Sequence, residues 1–104
     1  MLRMPTNMPE SDPTDPAADY TPELMYAFLS SYELPREVGS EYEYSNFAVG
    51  VLGQIQALVA GTSYEEALTS VITSPLKMKE TAITLSPKMK ENLAVGHSMG
   101  MPVN

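Results

Sequence analysis

Three places in this chain bring side chains together at spacings that carry chemistry. Ser74-Pro75-Leu76-Lys77 sets a hydroxyl three residues before an amine, and on a helix that spacing is one turn, close enough for the amine to take the hydroxyl's proton and expose a nucleophile. Tyr44-Ser45-Asn46 places a phenol and an amide at the mouth of an apolar, glycine-containing stretch. A phenol with the ordinary pKa of about 10 is ionised in about one molecule per thousand at neutral pH, and each unit of depression needs about 1.4 kcal/mol of favourable interaction. Tyr44 is therefore a base only beside a cation. His97-Ser98 offers an imidazole next to a hydroxyl, but no acidic residue stands at a spacing that would orient the ring, so His97 reads as an exposed or capping histidine. With this lone histidine and no cysteine, neither a metal site nor a cofactor is expected.

The elements that must hold these groups are legible in the pattern. Thr21 is an N-cap hydroxyl, Pro22 suits the first helical position, and Leu24, Met25, Phe28 and Leu29 recur at helical spacing, which predicts a helix over about 22–32 ending before Pro35. A charged, turn-rich connection over 36–43 follows. Ser45 then caps a helix over about 46–60, stopped by Gly61, with Ala48, Val51, Leu52, Ile55, Leu58 and Val59 as its apolar face. Gly50 and Gly53 inside it each cost about 1 kcal/mol relative to alanine. With Asn46 and Ala57 they form one stripe, where a neighbouring element is expected to approach closely. The capping box Ser63-x-x-Glu66 opens a third helix reaching about Thr73. Ser86-Pro87 with Met89, Leu93 and Ala94 predicts a last helix closed by Gly96, and Thr81 to Leu85 alternates like a short strand. The expected fold class is all-α with at most one short strand: a small domain of three to four helices over 20–104 behind an extended, acidic, proline-rich arm over 1–19.

The 104 residues support one core and not two. Thirteen acidic against 6 basic side chains leave a net charge of -7, which repels a phosphate backbone and excludes nucleic acid as a partner. The run from Phe47 to Ala60 is broken by Gln54 and Gln56 and is shorter than the roughly 20 residues of a bilayer span, so no membrane segment is expected. Met1 to Pro5 lacks the apolar core of a secretion signal, and a cytoplasmic location is expected for the chain as given. The arm could tether a metal or a partner, although a solvated linker explains its composition more simply. The eight methionines read as core and loop residues rather than as an adaptable binding surface.

The stretch from Gly39 to Gly53, with Tyr44-x-Asn46 before the glycine-containing helix, resembles the second motif of the serine β-lactamase, penicillin-binding protein and esterase superfamily. The likeness continues through Gly61-Thr62-Ser63-Tyr64-Glu65-Glu66 and Pro75-Leu76-Lys77-Met78-Lys79-Glu80-Thr81, and covers roughly residues 38–96. It implies the helical subdomain of the β-lactamase/transpeptidase-like fold. In the resembled enzymes the tyrosine sits beside the nucleophilic serine and shuttles its proton, while the asparagine contacts the substrate amide and the catalytic lysine. Those roles fall by position on Tyr44 as catalytic residue and Asn46 as substrate-binding residue. The family's Ser-x-x-Lys motif ahead of this region and its Lys-Thr-Gly or His-Thr-Gly strand after it are not found here. Two further departures are Val38, where the family more often has proline, and Lys77, where Pro-Leu-Gly-Met is usual. A glycine at that second place serves a backbone conformation that Lys77 adopts only with strain.

The resemblance implies a truncated or excised part of a serine hydrolase acting on β-lactams, peptides or esters, catalytically incomplete alone. A second reading is a self-associating helical module, since helix faces built to pack on an absent half leave apolar surface that homo-oligomers cover. A third is a minimal esterase using Ser74, Lys77 and Tyr44. A small-molecule ester or β-lactam is the ligand class in the enzymatic readings.

Overall fold

The structure, a computed structural model, describes Asn7 and residues 18–103. The arm expected over 1–19, and its tether role, lie outside the described residues except for Asn7, Ala18 and Asp19. Helices dominate: α1 is Pro22–Ser31, α2 Asn46–Ala60, α3 Tyr64–Leu68, continued by a π-helical turn over Thr69–Thr73, and α4 Pro87–Glu91. A two-stranded antiparallel sheet, β1 Gly96–Ser98 and β2 Met101–Val103, follows. The chain divides into two compact units, residues 1–54 and 55–104.

In the first unit, the Thr21 hydroxyl accepts the Leu24 amide at 3.4 Å and Pro22 occupies the first turn of α1. Asn7 docks on this helix, its side-chain amide donating to the Leu24 carbonyl at 2.8 Å and accepting from the Tyr20 hydroxyl at 3.0 Å. Burial pushes the Tyr20 phenol above its usual range. The core is aromatic: Phe28, 6% exposed, meets Phe47, 4% exposed, edge-on at 4.8 Å and stacks on Tyr32 at 5.3 Å. Burying two such rings contributes roughly 1.5–3 kcal/mol each. The Gln54 side-chain amide donates to the Tyr26 hydroxyl at 2.7 Å and ties α2 to α1.

The element beside Gly50 is α1, whose Met25 methyl would lie 3.7 Å from an added Cβ. That is ordinary van der Waals separation, so the neighbour at Gly50 is α1, and the unusually close approach expected at the glycine stripe is not seen there. The expected apolar face of α2 is not the buried one. Leu52, Ile55, Leu58 and Val59 are all exposed, and burial falls instead on Phe47 and Ala57.

In the second unit, α2 and the π-helical turn end in the same way. Thr62 N–H donates to Ala57 at 3.2 Å and Gly61 N–H to Leu58 at 3.1 Å, with Gly61 at φ +68°. Met78 N–H donates to Thr73 at 2.8 Å and Lys77 N–H to Ser74 at 3.0 Å, with Lys77 at φ +58°. Each pair is a Schellman closure, in which a left-handed residue lets two amides satisfy the last free carbonyls. The capping box expected at α3 is complete, with Glu66 N–H to the Ser63 hydroxyl at 3.1 Å and Ser63 N–H to the Glu66 carboxylate at 3.0 Å. Its helix reaches Thr73 as predicted, but through a π-helical last turn that seats Thr73 in the interior.

Two expectations are corrected here. Thr81 to Leu85 forms no strand, because the amides of Ile83 and Thr84 are taken by the Glu65 carboxylate and not by a sheet partner. The last helix stops at Glu91, with Asn92 as its C-cap, so Leu93 and Ala94 lie beyond it and Gly96 opens a strand rather than closing a helix. The hairpin turns on Met99 (φ +52°) and Gly100 (φ +79°), the two-residue geometry that suits the right-handed twist of paired strands. His97 pairs with Pro102, one step beyond the closing pair, where the ladder asks for no amide donor and proline is tolerated.

Candidate functional site

The local sequence builds the Tyr44–Asn46 segment outward from Ser45. Ser45 is buried, its hydroxyl accepts the Ala48 amide at 3.1 Å, and its carbonyl accepts the Val49 amide at 3.3 Å, so the residue behaves as the N-cap of α2. Phe47 anchors the next position against Phe28. Upstream, the Arg36 guanidinium donates to the Glu43 carboxylate at 2.8 Å and lies 3.9 Å from Glu41, which folds the 36–43 connection back on itself. A tight turn with Gly39 at φ +80° allows this, closed by the Ser40 amide and hydroxyl on the Glu37 carbonyl at 3.2 and 2.8 Å.

With Ser45 and Phe47 held inward, the two flanking side chains remain outside. Tyr44 is 59% exposed and Asn46 is also exposed. Neither side chain has a hydrogen-bond partner among the described residues. The unit that carries Tyr44 contains no lysine, since all four lysines of the chain lie between residues 77 and 90.

Ser74 and Lys77 stand in the second unit, and both line an open depression of about 480 Å³. Their relation is not the helical one that the spacing suggests. Lys77 is the left-handed residue of the Schellman closure, and the two residues are joined through backbone, Lys77 N–H to Ser74 C=O at 3.0 Å. The Ser74 hydroxyl and the Lys77 ammonium form no hydrogen bond. Lysine accordingly occupies a position where glycine is unstrained, as the expected glycine-to-lysine departure implies. His97 is exposed and its Nδ1 lies 3.0 Å from the Val95 carbonyl, a local backbone contact rather than a hydrogen bond to a serine.

Glu65 is the positioning residue that sequence reasoning missed. One oxygen accepts the Ile83 and Thr84 amides at 3.0 and 2.7 Å, and the other accepts the Thr84 hydroxyl at 2.8 Å. Bonds from the Thr84 amide, then its hydroxyl, and a smaller contribution from the Ile83 amide, hold the carboxylate below its ordinary pKa. A separation of 18 to 19 residues has no periodic signature. The available signal was a second carboxylate beside the capping-box Glu66. Among the described residues no group of acidic and histidine side chains is disposed to hold a metal ion, and no single helix is long and apolar enough to cross a membrane.

The beta-lactamase family model matches residues 2–103. A D-alanyl-D-alanine-carboxypeptidase/endopeptidase AmpH of Escherichia coli K12 is 34% identical over 84 residues, 81% of this chain and 22% of that protein. A beta-lactamase of the same strain is 30% identical over 77 residues, covering 74% of this chain and 20% of its own length. A beta-lactamase of Yersinia enterocolitica is 32% identical over 60 residues, 58% of this chain and 16% of that protein. The chain thus spans about a fifth of the length of the curated relatives it matches. No solved structure matches it.

Proposed function

Since the chain belongs to the beta-lactamase family, we propose that it is the helical, Tyr-x-Asn-bearing part of a serine hydrolase for β-lactams, peptides or esters, and that these 104 residues alone turn over none of them. Tyr44 is the proton-shuttling phenol and Asn46 the amide that meets the substrate, in a site whose nucleophile and cations come from elsewhere. The observation that carries this reading is the exposed phenol in a unit without lysine. A phenol this exposed lacks the dry surroundings that strengthen electrostatic help to a proton-transfer group. The purified chain should leave a chromogenic cephalosporin and a chromogenic ester intact. Measurable turnover abolished by Tyr44→Phe would overturn the proposal.

A second reading, self-association, is favoured by the apolar side chains left in solvent, among them Leu58, Val59 (85% exposed) and Val71. The two readings are compatible, because surface made to pack on further structure also pairs with itself when alone. The esterase reading built on Ser74 and Lys77 has less support. Their hydroxyl and ammonium are not hydrogen-bonded, and a fluorophosphonate probe should leave Ser74 unlabelled.

A further inference from the structure

Charge is distributed very unevenly along this chain. Residues 1–54 hold nine acidic side chains and two arginines, which accounts for the entire net charge of -7, while residues 55–104 hold four glutamates and all four lysines. Within that second unit Lys77 and Lys79 both line the 480 Å³ depression, together with Thr69, Ser74, Thr81 and Ser86. None of its lining residues is acidic. Among the described residues none of the four lysines is in an ion pair, whereas Arg36 is paired twice.

Two observations argue that this is more than a solvated basic edge. The first is the lining chemistry: lysine, serine and threonine side chains, all able to donate hydrogen bonds, line the depression with no carboxylate among its lining residues. The Ser74 and Thr81 hydroxyls are uncommitted among the described residues, and the Ser86 hydroxyl accepts from the Met89 amide at 3.2 Å and still has its proton to give. The second is the backbone of Lys77. It sits at φ +58°, in the position where Gly61 closes the preceding helix at φ +68°. A lysine there is conformationally disfavoured, and strained residues of this kind gather at ligand sites. A lysine near a helix C-terminus also gains from the exposed carbonyls, yet the Lys77 ammonium is bonded to none.

We propose that this depression binds a phosphate group, free or as a monoester. A doubly charged anion with acceptors in a tetrahedral array matches two ammoniums and several hydroxyl donors better than a planar carboxylate does. Its lining residues all belong to the second unit and include neither Tyr44 nor Asn46, and its test does not depend on their role.

The whole chain is titrated with inorganic phosphate and with glycerol phosphate at low salt, against sodium chloride of equal ionic strength, while backbone amide shifts are followed by NMR. The expected result is saturable shifts centred on Ser74, Thr81 and Ser86. Saturation by both ligands assigns the site to the phosphate group itself, and saturation by the ester alone assigns it to phosphate monoesters. Lys77→Gly with Lys79→Ala keeps the left-handed turn while removing both ammoniums, and should weaken binding at least about tenfold. Lys88→Ala with Lys90→Ala, outside the lining, should change it much less. Shifts that chloride reproduces, or that survive unchanged in the Lys77/Lys79 variant, would overturn the proposal.

Discussion

At the scale of single residues, chemistry here is governed by what surrounds a side chain more than by its type. Tyr44 has the right type and the right neighbours in sequence, but its phenol stands in solvent in a unit that carries no lysine. Lys77 shows the converse, a residue whose backbone is the significant part. At φ +58° it carries a left-handed penalty of about 1–2 kcal/mol that glycine does not. Glycine returns part of that advantage through the greater freedom of its unfolded chain, about 0.4–1 kcal/mol. Lys77→Gly is therefore expected to stabilise the chain by about 0.5–1 kcal/mol in chemical denaturation, whereas Gly61→Ala, at φ +68° with open space around it, should destabilise by about 1 kcal/mol. Equal effects of both substitutions would contradict the Schellman account. The strain at position 77 was legible through the family resemblance, in which a lysine stands where Pro-Leu-Gly-Met is usual.

At the scale of elements, helix starts followed directly from local chemistry. Thr21, Ser45, Ser63 and Ser86 each accept an amide of the turn they open, and the capping interaction involves only residues three apart. The segment between α3 and α4 was less legible, since its hydrogen bonds are made to a residue 18 to 19 positions away. Glu65 illustrates this: its carboxylate replaces a sheet partner for Ile83 and Thr84, so a strand-like alternation became a loop clasped to α3. Because its folded pKa is depressed below the ordinary value of 4.5, the clasp's stabilisation is fully present above that value and is lost as pH falls through the lower, folded one. Thermal melts between pH 7 and pH 3 should show the wild-type chain losing more stability in acid than Glu65→Gln. Parallel pH profiles would remove Glu65 from that role.

On the scale of the whole molecule, surface tells more than the interior. The hydrophobic core of the described residues is small, with Phe28, Phe47 and Ala57 its buried apolar members, while Leu52, Ile55, Leu58, Val59, Val71 and Ile72 are exposed. Soluble proteins seldom leave so many large aliphatic side chains in water without a partner. Light scattering of the chain at low micromolar concentration should report a dimer or larger species that shifts toward monomer on Leu58→Ser with Val59→Ser. A compact monomer would count against association through these helices.

The sequence by itself determined the family, the helical class, the caps and the left-handed closure, because each rests on side chains within a few residues of one another. Which face of α2 is buried, what occupies the amides of Ile83 and Thr84, and where the lysines stand relative to hydroxyls were decided only by tertiary structure. Those outcomes depend on groups distant along the chain competing for the same apolar surface and the same donors. A periodic pattern marks a face as apolar, but only packing determines whether anything covers it.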